Sequence, residues 1–205
     1  DESEERDDLV VAEEPLEIRI GYGPKEDREQ MSLSVTMRTP GHDLELVAGF
    51  LFAEGIIDDP GQLNLLEHCQ RVKSEDERGN VVRAELSPKV ELDLKRLQRN
   101  SLASSSCGVC GKASIEALES LQYPAFPKEE KPACDPRVIK GLPKRLRESQ
   151  TVFRHTGGIH ATGLFDLEGN LLFMREDVGR HNALDKVIGA KFLQGELPLS
   201  ELIGF

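Results

Sequence analysis

Apolar and polar residues alternate along Pro15-Leu-Glu-Ile-Arg-Ile20 and, more cleanly, along Met31-Ser-Leu-Ser-Val-Thr-Met37. A period of two puts successive side chains on opposite faces, so both stretches are expected as β-strands that pair across a loop at 21–30. Arg38-Thr-Pro-Gly-His42 reads as a turn, and Asp43 as the cap of a helix over 44–54 with Leu46, Val47, Phe50 and Leu51 on one face. Gly55 ends that helix, and Asp58-Asp-Pro-Gly61 is a second turn. Residues 68–73 and 80–86 are expected as a hairpin around Asp76-Glu-Arg-Gly-Asn80, and 90–97 as a short strand running into a turn. Helices are expected over 112–121 and 143–150. The last third has the clearest rhythm: a tight loop at Thr156-Gly-Gly158, a strand over 161–167, a turn at Glu168-Gly-Asn170 and a strand over 171–176. A helix over 183–193 follows, with Asn182 as its expected cap.

This mixture of strands and helices predicts an α/β protein of two lobes. Residues 1–14 read as a solvated, mobile acidic arm, 15–122 as an N-terminal lobe, 123–136 as a proline-rich linker and 137–205 as an incomplete C-terminal lobe. The arm holds eight acids and one Arg and carries most of the net charge of −11; the remainder has 29 acids against 25 bases. That balance argues against a nucleic-acid-binding protein. The stretch 128–154 runs the other way, with eight bases and four acids, as a solvated basic helix or a phosphate-facing strip would. No apolar run approaches the roughly 18 residues of a membrane span, and no basic-then-apolar leader is visible. A soluble, cytoplasmic protein is expected, with its four cysteines (Cys69, Cys107, Cys110, Cys134) as free thiols rather than a disulfide framework.

The candidate chemistry begins at Cys107-Gly-Val-Cys110, between Ser104-Ser105-Ser106 and the helix expected at 112–121. Two thiols so spaced at a helix start can reach one point, and the helix dipole there favours thiolate. Three roles fit: sulfur carriage, dithiol exchange, or half of a metal site completed by His155, His160 or His181. A second candidate is Arg175-Glu-Asp-Val-Gly-Arg-His-Asn182, on the loop from a strand into a helix. There Arg175 and Arg180 could hold phosphate or carboxylate, His181 could move a proton, and Asn182 marks the helix start. The same residues also suit a structural ion-pair network with Glu176 and Asp177. A third is Thr156-Gly157-Gly158-Ile-His160, which reads either as a loop wrapping a ligand or as a plain turn.

Taken in order, Met37-Arg-Thr-Pro-Gly41, Gly49-Phe-Leu-Phe-Ala-Glu-Gly-Ile-Ile57, Ser106-Cys-Gly-Val-Cys-Gly111, Thr156-Gly-Gly-Ile-His160 and Arg175-Glu-Asp-Val-Gly-Arg-His-Asn-Ala-Leu-Asp-Lys186 resemble the FdhD family. These are sulfurtransferases needed for active formate dehydrogenase, and the resemblance spans residues 15–197. It implies a cytidine deaminase-like three-layer α/β core with a smaller N-terminal α+β lobe, and a homodimer. It also implies that a cysteine desulfurase loads sulfane sulfur onto Cys107 as a persulfide. The sulfur then passes to the molybdenum cofactor, in its bis(molybdopterin guanine dinucleotide) form, and no tightly bound metal of the protein's own is implied. Cys110 would assist by thiol exchange. The loops at 156–160 and 175–182, with Phe205, would hold the cofactor. Two other readings are a non-catalytic cofactor chaperone for formate dehydrogenase and a zinc hydrolase of deaminase type. The resemblance further implies that Leu202-Ile-Gly-Phe205 is a strand which other members reach only after an intervening stretch and follow with a cofactor-contacting tail.

Overall fold

The computed structural model describes residues 8–70, 74–93 and 134–205. Cys107, Cys110, the helix expected at 112–121 and linker residues 123–133 lie outside the described residues. Two sheets and four helices are present among those described. A four-stranded sheet has the order β2-β1-β4-β3, from β1 (Glu14–Tyr22), β2 (Glu29–Arg38), β3 (Leu63–His68) and β4 (Val81–Leu86). A three-stranded sheet has the order β6-β5-β7, from β5 (His160–Phe165), β6 (Leu171–Asp177) and β7 (Ile203–Gly204). The helices are α1 (Asp43–Ala53), α2 (Pro136–Ser149), α3 (Thr151–Thr156) and α4 (Arg180–Leu193).

The chain forms two compact units: Glu17–Val35 with Ile56–Ala133, and Asp1–Leu16 with Thr36–Gly55 and Cys134–Phe205. In the first, β1 runs parallel to β4, with Ile18 opposite Val82 and Ile20 opposite Ala84, all four buried. Arg28 fastens the loop after β1 to the end of β4, donating to the carbonyls of Gly21 (2.9 Å) and Leu86 (2.8 Å) and to the Glu85 carboxylate (2.6 Å).

The second unit is layered by the alternation of β5 and β6. Ala161, Leu171, Met174 and Phe165 pack with Leu142 and Leu146 of α2 on one face. On the other face Leu164 sits opposite Phe173, and α4 packs against β5, β6 and α1. The result is helix, sheet, helix. Crossing of α1 and α4 is close enough to need glycine on both. A Cβ on Gly189 would lie 1.8 Å from the Glu45 carbonyl oxygen, and one on Gly49 would lie 1.9 Å from that of Asp185. Backbone meets backbone there, so neither contact can be relieved by turning a side chain.

Several expected elements move. Helix α4 starts at Arg180 with Gly179 as its N-cap, so Asn182 stands in the first turn instead of capping it. Asp43 is likewise inside α1, after His42 in a left-handed conformation (φ 57°), because its carboxylate is committed to Arg38. The hairpin is present, but its first strand is β3, ending at His68 where it was expected to begin. A register irregularity between Leu63 and Leu65 breaks the period of two there and hides the strand. Helix α2 begins before 143, with Asp135 accepting from the Arg137 amide (2.8 Å) and Pro136 in the first turn, where its missing N–H costs nothing. No strand forms over 90–93, and 94–97 lies outside the described residues. The strand expected at the C-terminus forms: β7 joins β5 as its antiparallel neighbour, with Phe205 exchanging backbone hydrogen bonds with Gly163 (2.8 and 3.0 Å).

Replacing Gly189 by Ala should cost about 3 kcal/mol in denaturant unfolding, because α1 and α4 must separate to admit one methyl. Gly141→Ala in α2, where a Cβ would meet nothing nearer than 3.9 Å, should instead be neutral or stabilising by up to about 1 kcal/mol.

Candidate functional site

Three consecutive charged residues end β6, and strand alternation sends them to different layers. Arg175 and Asp177 point to the α1–α4 face, and Glu176 to the α2–α3 face. Arg175 grips Glu45 of α1 bidentately (2.6 and 2.8 Å), with its guanidinium carbon 4.2 Å from the centre of the Phe173 ring. Asp177 is fully buried and has four donors. Its Oδ1 accepts from the Gly179 amide (2.8 Å) and the Asn182 side chain (3.0 Å). Its Oδ2 accepts from the Thr39 amide (3.2 Å) and pairs with Lys186 Nζ at 2.6 Å. Lys186 is equally buried and donates also to the Thr39 carbonyl (2.9 Å), while Asn182 donates to the Met37 carbonyl (2.8 Å). The Val178 amide donates to the Thr39 hydroxyl (3.0 Å). Arg38, also buried, closes the 38–43 turn on Asp43 (3.1 and 2.9 Å). Two motifs about 140 residues apart in sequence are thus one polar knot. Its members satisfy one another, as buried charges must.

Of the candidate residues, Arg175 and Asn182 belong to this knot. Arg180 and His181, the first two residues of α4, are exposed, and among the described residues their side chains form no hydrogen bond or ion pair. Thr156, expected in the loop, is instead the last residue of α3, with its hydroxyl donating to the Val152 carbonyl (2.9 Å); Gly157 and Gly158 follow, and Gly157 ends the helix in the left-handed conformation (φ 68°) that favours glycine. Buried Ile159 anchors the far side of this loop, and exposed His160 opens β5 directly opposite Asp177. The loop at 156–160 and the start of α4 therefore leave the β5–β6 ladder at the same end. A helix start with two exposed basic or titratable side chains, beside a glycine loop, is suited to an anion. Phe205 lies farther along β5, paired with Gly163, and its side chain is 46 % exposed. Among the described residues no group of three or more His, Cys, Asp or Glu side chains is arranged to hold a metal ion. No helix among them is long and apolar enough to cross a membrane.

The model of the FdhD/NarQ family matches residues 11–203. The chain is 46 % identical over 204 residues to the sulfur carrier protein FdhD of Corynebacterium efficiens, covering 97 % of this chain and 69 % of that protein. It is 42 % identical over 199 residues to the protein of that name from Streptomyces avermitilis, covering 97 % and 68 %. With the Mycobacterium tuberculosis protein of that name it shares 40 % identity over 203 residues, covering 95 % and 68 %. Among solved structures it matches the crystal structure of a formate dehydrogenase accessory protein from Desulfotalea psychrophila with a TM-score of 0.63. That match has 23 % identity and covers 98 % of this chain and 67 % of the other; it concerns the fold.

Sequence reading does not single out Glu45, Lys186 or Asp185. The first two act through partners remote in sequence, so no local spacing announces them. Asp185 lies on α4 with its backbone carbonyl against Gly49 of α1. Burial first, and then the negative charge of Glu54, push its carboxyl up to about 7. A carboxyl raised on folding binds its proton more tightly in the native state than in the unfolded chain. Its contribution to stability is therefore present at low pH and lost as pH climbs from about 4 to about 7. Asp185→Asn should be more stable than wild type near pH 8. That margin should shrink by about 2 kcal/mol on going to about pH 5, as measured by denaturant unfolding at the two pH values.

Proposed function

The chain belongs to the FdhD/NarQ family, and from that membership we propose that it is a sulfur carrier serving formate dehydrogenase. The observation that carries the proposal is its identity of 40 to 46 % with sulfur carrier proteins FdhD over nearly its whole length. Cys107 accepts the sulfur. Its thiolate attacks the outer sulfur of a cysteine desulfurase persulfide; that S–S bond breaks, a new one forms on Cys107, and the desulfurase leaves as thiolate. Cys110 assists. Attack of its thiolate on the outer sulfur moves the sulfane atom to Cys110 and frees Cys107. Attack on the inner sulfur expels hydrosulfide and leaves a Cys107–Cys110 disulfide, which a cellular thiol must then reduce.

The substrate that receives the sulfur is the molybdenum cofactor in its bis(molybdopterin guanine dinucleotide) form. Arg180, His181 and the loop at 156–160 suit its phosphates by charge and backbone geometry, and Phe205 offers an exposed aromatic face on the same sheet. Arg175, tied to Glu45 of α1, and Asn182, tied to Asp177, are engaged in the knot and do not face the cofactor; Asn182 acts on it only by fixing the start of α4. The reading includes a homodimer, a cytoplasmic setting and the cytidine deaminase-like core of the family. The helix–sheet–helix layering of the second unit supports that core.

Incubated with a cysteine desulfurase and cysteine, the protein should gain the mass of one sulfur atom, and a reducing thiol should remove it. Cys107→Ala should abolish the gain. A wild-type protein that gains no mass would instead be a cofactor-binding chaperone.

A further inference from the structure

Helix α3 starts without a cap of its own: Gln150 is its N-cap residue, and the Gln150 side chain makes no capping hydrogen bond. The first amides of a helix have no acceptor within it and must find one elsewhere. Here Glu176 supplies it from another element. Its Oε2 accepts from the Val152 amide (3.1 Å) and its Oε1 from the Phe153 amide (3.0 Å). Both carboxylate oxygens are used, and the negative charge faces the positive end of the helix.

The consequence lies at the other end of α3. This helix has a single turn and a half, too short to hold its shape alone. It ends at Gly157, whose amide donates to the Phe153 carbonyl (2.8 Å). The amide of Phe153 is held by Glu176, and its carbonyl holds the Gly157 turn. Buried Ile159 pins the far side. The segment between, from Thr156 at the end of α3 through Gly157 and Gly158, owes its position to Glu176 on one side and Ile159 on the other. Glu176 lies between Arg175, which ties β6 to α1, and Asp177, which ties it to the start of α4. One strand end thereby sets both the loop and the helix start that flank the candidate anion site.

We propose that Glu176 is the positioning residue of this site: its carboxylate holds α3 so that the 156–158 loop and the Arg180 end of α4 can engage one ligand together. The ligand half of this inference rests on the cofactor reading given above. The anchoring half does not, and the two are tested separately.

The decisive variant is Glu176→Gln, which keeps the size and the strand but replaces one acceptor oxygen with an NH2 that cannot accept from an amide. Glu176→Asp keeps two acceptors on a shorter arm, and Glu168→Gln, at an exposed turn, is the control. Amide hydrogen exchange of the free protein reads the anchoring. Exchange at 152–158 should be faster in Glu176→Gln by about tenfold, about 1.4 kcal/mol of lost protection, with β5 and β6 unchanged. Glu176→Asp should recover part of that protection, and the control should match wild type. Unchanged exchange at 152–158 overturns the proposal whatever else is found. Calorimetric titration with guanosine diphosphate reads the ligand half. Wild type should bind, and Glu176→Gln should bind about tenfold more weakly with no change in sulfur loading of Cys107. Equal affinity in the two overturns the positioning role even if exchange is faster. A wild type that does not bind guanosine diphosphate sinks the cofactor reading and the ligand role with it, while exchange still decides the anchoring.

Discussion

A carboxylate and an ammonium buried against each other, Asp177 and Lys186, are what the second unit is organised around. Removing two charges from water costs several kcal/mol per ion, and their attraction offsets this only when every remaining donor and acceptor is also met. The surroundings meet that demand. Two backbone amides and the Asn182 side chain complete Asp177, and the Thr39 carbonyl receives a second proton of Lys186. An apolar pair of equal volume could fill the space. It could not require the 38–43 turn, the end of β6 and the first turn of α4 to meet at one point. The benefit is specificity of arrangement more than stability.

The close crossing of α1 and α4 belongs to the same logic. Lys186 reaches Thr39 from α4, and Glu45 reaches Arg175 from α1. The two helices approach until glycine is the only residue that fits at Gly49 and Gly189. With the scaffold fixed by buried contacts, the residues immediately next to it are free for chemistry. Arg180 and His181 follow Asp177 by three and four positions, yet they face solvent while Asp177 is sealed. One short motif therefore holds a buried cluster and an exposed pair, and the exposed pair begins directly after the N-cap at Gly179.

Strong periodicity made much of the fold legible. β1 and β2 alternate apolar and polar residues, β5 and β6 are bracketed by the glycine loop before 160 and the turn at 168–170, and each strand forms close to where those signals place it. The starts of α1 and α4 were not legible, because Asp43 and Asn182 are good capping residues whose side chains are claimed by Arg38 and by Asp177. Tertiary partners outbid the local preference. β3 lies before the stretch that the hydrophobic pattern indicates, because a register irregularity between Leu63 and Leu65 breaks its period. At the site, the 175–182 motif announced polar chemistry but not its direction. Choosing between ligand-facing and partner-facing arginines needs to know that Glu45 stands opposite Arg175, and only the folded chain supplies that. Glu176 was visible as a charge in a cluster, whereas its role depends on the uncapped start of a helix more than 20 residues earlier.

The division of the motif into a structural half and a ligand-facing half is tested most directly by pairing Arg175→Ala with Arg180→Ala and measuring melting temperature and guanosine diphosphate affinity for each. Arg180→Ala should weaken binding about tenfold at an unchanged melting temperature. Arg175→Ala should lower the melting temperature by several degrees, since it strips the half-buried Glu45 of its bidentate partner. A stable, binding-deficient Arg175→Ala beside a destabilised, binding-competent Arg180→Ala would contradict the account.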